Sequence, residues 1–174
     1  IPLYVSHIYY KQKKYNEVVN YTTTIIDDVQ EEHQTELAKI VGDSYFHLGQ
    51  YENAIPYLER YFKTSGTKTR EENYILGFCY YHTNKFEEAA ELLQKAATGE
   101  DEMTQNAYYH LADCFIKLDD KEKAKTAYNA ASEFDFNPDI KEDALFSYAK
   151  LTYELSYSPF NETIKAFDRY IAEY

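Results

Sequence analysis

The 174-residue chain has no tryptophan, one methionine, two cysteines, four prolines and five glycines. Each scarcity excludes something. Two cysteines cannot build the disulfide framework that small secreted domains use in place of a core. So few prolines and glycines cannot punctuate the many turns of a β-sandwich or barrel, and they leave room for long helices. No apolar run reaches the ~18–20 residues that a helix needs to cross a bilayer, so no direct membrane insertion is expected of this segment. Cations are the minority charge. Lys and Arg number 18 against 30 Asp and Glu, a formal net charge of −12. That field repels phosphate and argues against nucleic acid or an anionic membrane as partner. The densest basic stretch is Lys11-Gln12-Lys13-Lys14. The acidity also serves solubility on its own. The Ile-Pro opening lacks an initiator methionine and a secretory leader, and the expectation is a fragment of a longer chain.

What the chain does have is rings and a period. Twenty tyrosines and ten phenylalanines stand in a sequence that is 44% hydrophobic, too apolar for a disordered chain. Gly42-Asp43-Ser44-Tyr45 and Gly77-Phe78-Cys79-Tyr80 share a Gly-x-x-Tyr core, and Ala112-Asp113-Cys114-Phe115 follows in step. The register runs upstream to Ser6 and downstream to Ala149, so small residues fall at 6, 42, 77, 112 and 149. A second small position, Val18, Ala54, Ala89 and Ala124, follows each of the first four by twelve residues; Thr163 fills that place in the fifth. Four residues later stand Thr22, Leu58, Leu93, Tyr128 and Phe167.

Apolar residues recur at intervals of three and four, as in Phe86, Ala89, Ala90, Leu93 and Ala97, so each unit reads as two helices. Short polar breaks part the two helices of a unit: Gly49-Gln50, Thr83-Asn84-Lys85 and Asp119-Asp120. Longer ones part the units, as at Thr64-Ser65-Gly66-Thr67 and Asn137-Pro138-Asp139. Pro138 and Pro159 suit the first turns of helices, where a missing N–H is harmless. The units fall at about 1–32, 33–67, 68–102, 103–137 and 138–174, one array of about five helix-turn-helix repeats. Glycine or alanine at the crossing lets two antiparallel helices approach closely, and the rings fill the space between pairs. No unit can bury its apolar face alone, so the units stack.

These residues resemble the tetratricopeptide repeat (TPR), whose pattern is W-x2-L-G-x2-Y…A-x3-F…P. The second unit matches it with Ala38, Val41, Gly42 and Tyr45, then Ala54 and Leu58; the third with Asn73, Leu76, Gly77 and Tyr80, then Ala89 and Leu93. The fourth has Tyr108, Leu111, Ala112 and Phe115, then Ala124 and Tyr128. Tryptophan is missing throughout, units two and three lack the closing proline, and the first unit (Ser6, Val18, Thr22) departs furthest. The resemblance implies an all-α, right-handed α-α superhelix. The segment from Ala144 to Leu155 and the tail from Phe167 to Tyr174 are similar to the variant in bacterial envelope proteins of the BamD and Tol-Pal-associated kind. Large tyrosine-rich repeat proteins of Bacteroidetes are similar as well. That likeness implies a periplasmic or outer-membrane-associated location, with the cytoplasm as the other reading.

The same resemblance implies that the first helices of the pairs line a concave groove, with two positions one turn apart on each pointing into it. In this register they are Lys39 and Asp43, Tyr74 and Phe78, Tyr109 and Asp113, and Phe146 and Lys150, with His110 beside Tyr109. Such a floor of rings suits the apolar anchors of a protein or peptide segment; the other reading of Tyr74 and Tyr109 is packing between repeats. The basic clamp by which some relatives grip a C-terminal carboxylate is not evident. The expected function is a non-catalytic protein-binding scaffold, with cell-envelope assembly as one setting. The alternatives are a structural spacer or self-association module, and a sensory input domain of a regulatory protein.

No pattern argues for chemistry. Cys79 and Cys114 share a register and read as small buried thiols. His47 and His82 also share one, but no His-x3-His or Cys-x2-Cys pair accompanies them, so no metal site is expected. Glu71-Glu72, Glu87-Glu88 and Asp119-Asp120 fall at helix starts, where negative charge complements the dipole. With no Gly-rich phosphate loop and no nucleophile elbow, neither a cofactor nor catalysis is expected.

Overall fold

The computed structural model describes residues 2–64, 66–156 and 161–174. The expectations that fall on Ser65 and Pro159 lie outside the described residues. Ten helices form among them: α1 (Pro2–Lys11), α2 (Tyr15–Thr22), α3 (Glu31–His47), α4 (Tyr51–Thr64), α5 (Arg70–His82), α6 (Phe86–Ala96), α7 (Glu102–Lys117), α8 (Lys121–Ser132), α9 (Pro138–Leu155) and α10 (Asn161–Glu173). Odd-numbered helices carry the first small position of each repeat, even-numbered helices the second. Two compact units divide the chain, Ile1–Asn84 and Lys85–Tyr174. In the first, each helix packs on the next and α3 also touches both α1 and α5. In the second, successive helices pack likewise and α7 touches α9.

Local chemistry sets the helix ends. Thr69 and Glu72 form a capping box, each side chain meeting the other's backbone N–H. Asp101 accepts from the Thr104 N–H, and Asn137 from the N–H groups of Asp139 and Ile140, with Pro138 in the first turn as its missing donor permits. The turns inside pairs repeat one backbone device. Lys13, Gly49, Asn84 and Asp119 all have positive φ, at 56°, 70°, 61° and 59°. Around Gly49 the Gln50 N–H reaches Tyr45 O at 2.9 Å and the Gly49 N–H reaches Phe46 O at 2.9 Å. This is a Schellman closure, and it recurs with Lys14 to Tyr9 and Asp120 to Phe115. Glycine, asparagine and aspartate tolerate this left-handed conformation; Lys13 is the exception.

The predicted small residues sit at the crossings. Ser6, Gly42, Gly77, Ala112 and Ala149 are all buried, as are Val18, Ala54, Ala89, Ala124 and Thr163. At Gly42 the approach is close: a Cβ added there would come within 2.7 Å of Leu58. The first repeat solves the same crossing with different chemistry. Where the second has Gly42 against Leu58, it has Ser6 and Thr22, buried, with the Thr22 hydroxyl donating to Ser6 Oγ at 2.8 Å. A residue that departs from the repeat pattern thus carries its own compensation. Pro56 lies inside α4, a position the repeat pattern does not announce; the helix continues through it on the exposed side.

Candidate functional site

Residues from the first helices of three successive pairs meet in a cleft of about 340 Å³ in the first unit. From α1 come His7, Tyr10 and Lys11; from α3, Glu36, Lys39, Ile40 and Asp43; from α5, Glu71, Glu72 and Ile75. The three helices lend the same face because their repeats are in register, so polar contacts recur at one interval. Tyr10 donates to Asp43 Oδ2 at 3.2 Å, and Lys39 Nζ donates to Glu72 Oε1 at 2.5 Å; both pairs are 33 residues apart. His7 Nε2 lies 2.8 Å from Glu36 Oε1. Glu72 also accepts from the Tyr61 hydroxyl at 2.7 Å and from the Thr69 N–H at 2.9 Å. Lys39 Nζ stands 5.3 Å from the centroid of the Tyr61 ring.

The two buried carboxylates of this cleft behave oppositely. Burial alone would raise Glu72, but hydrogen bonds from Lys39, Tyr61 and the Thr69 backbone outweigh it and hold the carboxyl down at about 2. For Asp43 burial wins. Lys39 and the Tyr10 hydroxyl offset it only in part, and the carboxyl is pushed up to about 6.

Of the residues expected in the groove, Lys39 and Asp43 share this cleft. Tyr74 and Phe78 do not line it. Their rings lie 5.6 Å apart, and Phe78 is held at a crowded aromatic junction with Phe46 at 5.7 Å, Tyr51 at 5.6 Å and His82 at 4.5 Å. In the second unit Tyr109 donates to Asp143, and Tyr128 donates to Asp113 at 2.5 Å. Tyr109 also meets Tyr128 edge-on at 5.9 Å and His110 at 5.5 Å. Phe146 is exposed and pairs with Tyr170 at 5.6 Å, beside Asp139, Glu142 and Asp143, around a shallow depression of about 260 Å³. Lys150 is exposed on the same helix. A larger apolar depression of about 580 Å³ lies among α6, α7 and α8, with Tyr108, Leu111 and Phe115 in its lining.

The residues that sequence reasoning passed over are His7, Tyr10, Glu36, Glu71 and Glu72. A signal for two of them existed: Glu36 and Glu71 both stand six residues before the small position, one turn ahead of Lys39 and Tyr74. The paired histidines have ordinary company. Tyr15 stacks on His47 at 4.5 Å and Tyr51 on His82 at 4.4 Å. Burial holds both imidazoles below their usual value, which leaves them neutral at pH 7. Cys79 and Cys114 are buried free thiols, each pushed up to about 12 by burial and so poor nucleophiles. Among the described residues no group of three or more His, Cys, Asp or Glu converges as a metal ion requires, and no helix is long and apolar enough to cross a membrane.

Helix pairs in register with small residues at the crossings define an all-α fold of tetratricopeptide-like repeats. Solved structures share it. The crystal structure of MamA is 17% identical, with 97% of this chain and 93% of that chain covered and a TM-score of 0.70. MamA AMB-1 is 15% identical, with 98% and 88% covered and a TM-score of 0.74. A Podosopora anserina protein of nearly identical TPR-like repeats is 14% identical, with 98% and 92% covered and a TM-score of 0.61. A family profile described as anaphase-promoting complex, cyclosome, subunit 3, matches residues 47–131. No curated protein matches the sequence.

Proposed function

We propose that this chain is a non-catalytic scaffold that binds a protein or peptide segment along the groove face of its odd-numbered helices. One observation carries the reading: three successive first helices contribute side chains to one open cleft, with Lys39 and Asp43 at its centre. Packed helices preorganise that surface, so a partner docks without first ordering its receptor. Tyr10 and the apolar faces of Ile40 and Ile75 offer anchoring area, and within the second unit the exposed Phe146 and Lys150 of α9 are a further proposed contact surface. We place this work in the bacterial cell envelope, in the periplasm or at the outer membrane. The likeness of the fifth repeat to envelope proteins supports that setting.

A photo-crosslinking amino acid placed at Glu36, on the cleft, is expected to capture a second polypeptide in cells. The same group at Glu52, exposed on α4, is expected to capture none. Capture from Glu52 alone would remove the groove assignment, and fractionation that recovers the native protein only from cytosol would remove the envelope setting.

A second reading, self-association, rests on α1 and α10. On α1, Tyr4 (73% exposed) and Ile8 take the register positions that Ile40 and Ser44, and Ile75 and Cys79, bury in later repeats. On α10, Ile164 and Ile171 (72% exposed) stand where Ile55 and Ala90, and Ala97 and Ser132, are buried. Apolar stacking positions of this kind can pack on a further repeat of the same chain or on a second copy. Light scattering that shows a mass rising with concentration, abolished by Ile171→Lys, would favour it; a constant monomer mass would exclude it.

A further inference from the structure

We propose, building on the scaffold reading, that the cleft of the first unit seats a lysine or arginine side chain of an extended partner, its cation held by Asp43 on the floor and Glu71 on the wall. The charges around the cleft point to this. Of its four carboxylates, Glu72 is answered by Lys39 and Glu36 by His7. Asp43 and Glu71 make no ion pair with a described residue, and Lys11 stands exposed beside them. Asp43 is the telling one. It is only 5% exposed, yet its sole hydrogen bond with a described residue is the one that Tyr10 donates to Oδ2 at 3.2 Å. Oδ1 takes none from any described residue, and the side chain lines the cleft. A carboxylate held this far from water, with one oxygen unanswered, gains most from an incoming cation. The walls suit the rest of such a side chain. Ile40, Ile75 and the Tyr10 ring line the path that a four-carbon or three-carbon stem would take, while its head reaches the acids. The chain's net charge of −12 draws basic segments toward it before contact.

The proposal carries a pH dependence. The groups facing Asp43 are His7, Tyr10 and Lys11 on α1, Glu36 and Lys39 on its own helix, Glu71 and Glu72 on α5, with Tyr61 of α4 behind Glu72. Glu72 stays ionised through the acid range, whereas Asp43 takes up a proton as pH falls through about 6. A basic ligand therefore releases a proton from Asp43 on binding near that pH, and weakens below it.

The test is a titration of the whole chain with a blocked peptide of alternating lysine and alanine, read by calorimetry and by amide chemical shifts. At about pH 7.5 the shifts should centre on Tyr10, Ile40 and Ile75. Asp43→Asn, which keeps an acceptor for Tyr10, should weaken the peptide about tenfold or more, as should a fall to about pH 5. Glu71→Gln on the exposed wall should weaken it less and folds regardless of the buried site. Glu52→Gln removes the same charge from α4 and should change affinity by less than about twofold. Equal losses in Asp43→Asn and Glu52→Gln would mean that only the overall field attracts the peptide, and would overturn the proposal. If crosslinking from Glu36 persists in Asp43→Asn while the peptide ignores the cleft, the basic partner is wrong and the scaffold reading stands. Failure of crosslinking from Glu36 in the native chain removes both.

Discussion

At Gly42 an added Cβ would stand 2.7 Å from both Cγ and Cδ2 of Leu58 and 3.2 Å from its backbone N. Alanine would gain about 1 kcal/mol in helix propensity, but overpacking of about 1–3 kcal/mol opposes it. With Leu58 only 2% exposed and backbone behind it, the clash wins. Gly42→Ala should lower the urea midpoint, and adding Leu58→Val should restore part of it. The opposite change is expected at Lys13, whose φ of 56° places a side chain in the left-handed region. Lys13→Gly should raise stability by up to about 1 kcal/mol in the same assay, since glycine bears no Cβ penalty there. The two glycine experiments separate a steric need for smallness from a conformational one.

Between elements, single side chains fix the geometry that the repeat pattern leaves open. Gln105, fully buried at the start of α7, donates to Phe134 O at 3.0 Å and Asn137 O at 3.1 Å, and accepts from the Asn137 N–H at 2.7 Å. It thereby holds the connection from α8 to α9. Gln105→Leu keeps the bulk and strands those backbone groups, at a cost of about 2–4 kcal/mol. Unfolding curves should show that loss, and hydrogen exchange should quicken first at residues 133–137. Nothing in the sequence marks Gln105: its register partners in neighbouring repeats are Thr35, Arg70 and Glu142. Arg169 is used similarly, bridging α10 to Glu133 at 2.8 Å and to Ser132 O at 3.2 Å.

At the scale of the whole molecule, the two buried carboxylates of the cleft bend the pH dependence of stability in opposite senses. Glu72 is held near 2 in the folded chain against 4.5 in the open one, so its contribution is present above about pH 4.5 and is lost as pH falls toward 2. Asp43 sits near 6 against 3.8, so the folded chain binds the extra proton and stability falls as pH rises from about 4 through 6. Thermal melts across this range should therefore show a maximum near pH 4–5 from these two groups. Asp43→Asn should flatten the decline on the alkaline side without moving the acid limb. The net charge of −12 adds self-repulsion at neutral pH, which salt screens.

The order of residues by itself determined the helices, their pairing and the crossings. A period of about 35 and an in-phase small side chain admit few other ways to bury the apolar faces, and the turn at Gly49, Asn84 and Asp119 follows from which residues accept positive φ. The resemblance to the tetratricopeptide repeat, and not the period itself, nominated Lys39 and Asp43. What only the tertiary structure decided is what each expected groove residue meets. Phe78 is drawn into the junction with Phe46, Tyr51 and His82, and Tyr109 is tied to Asp143, while Asp43 lines the cleft with one oxygen bonded to no described residue. Those outcomes depend on which side chain of a neighbouring helix arrives within hydrogen-bond or ring-contact distance. Periodicity fixes the backbone spacing that permits such meetings, and the individual residues on each facing helix settle them.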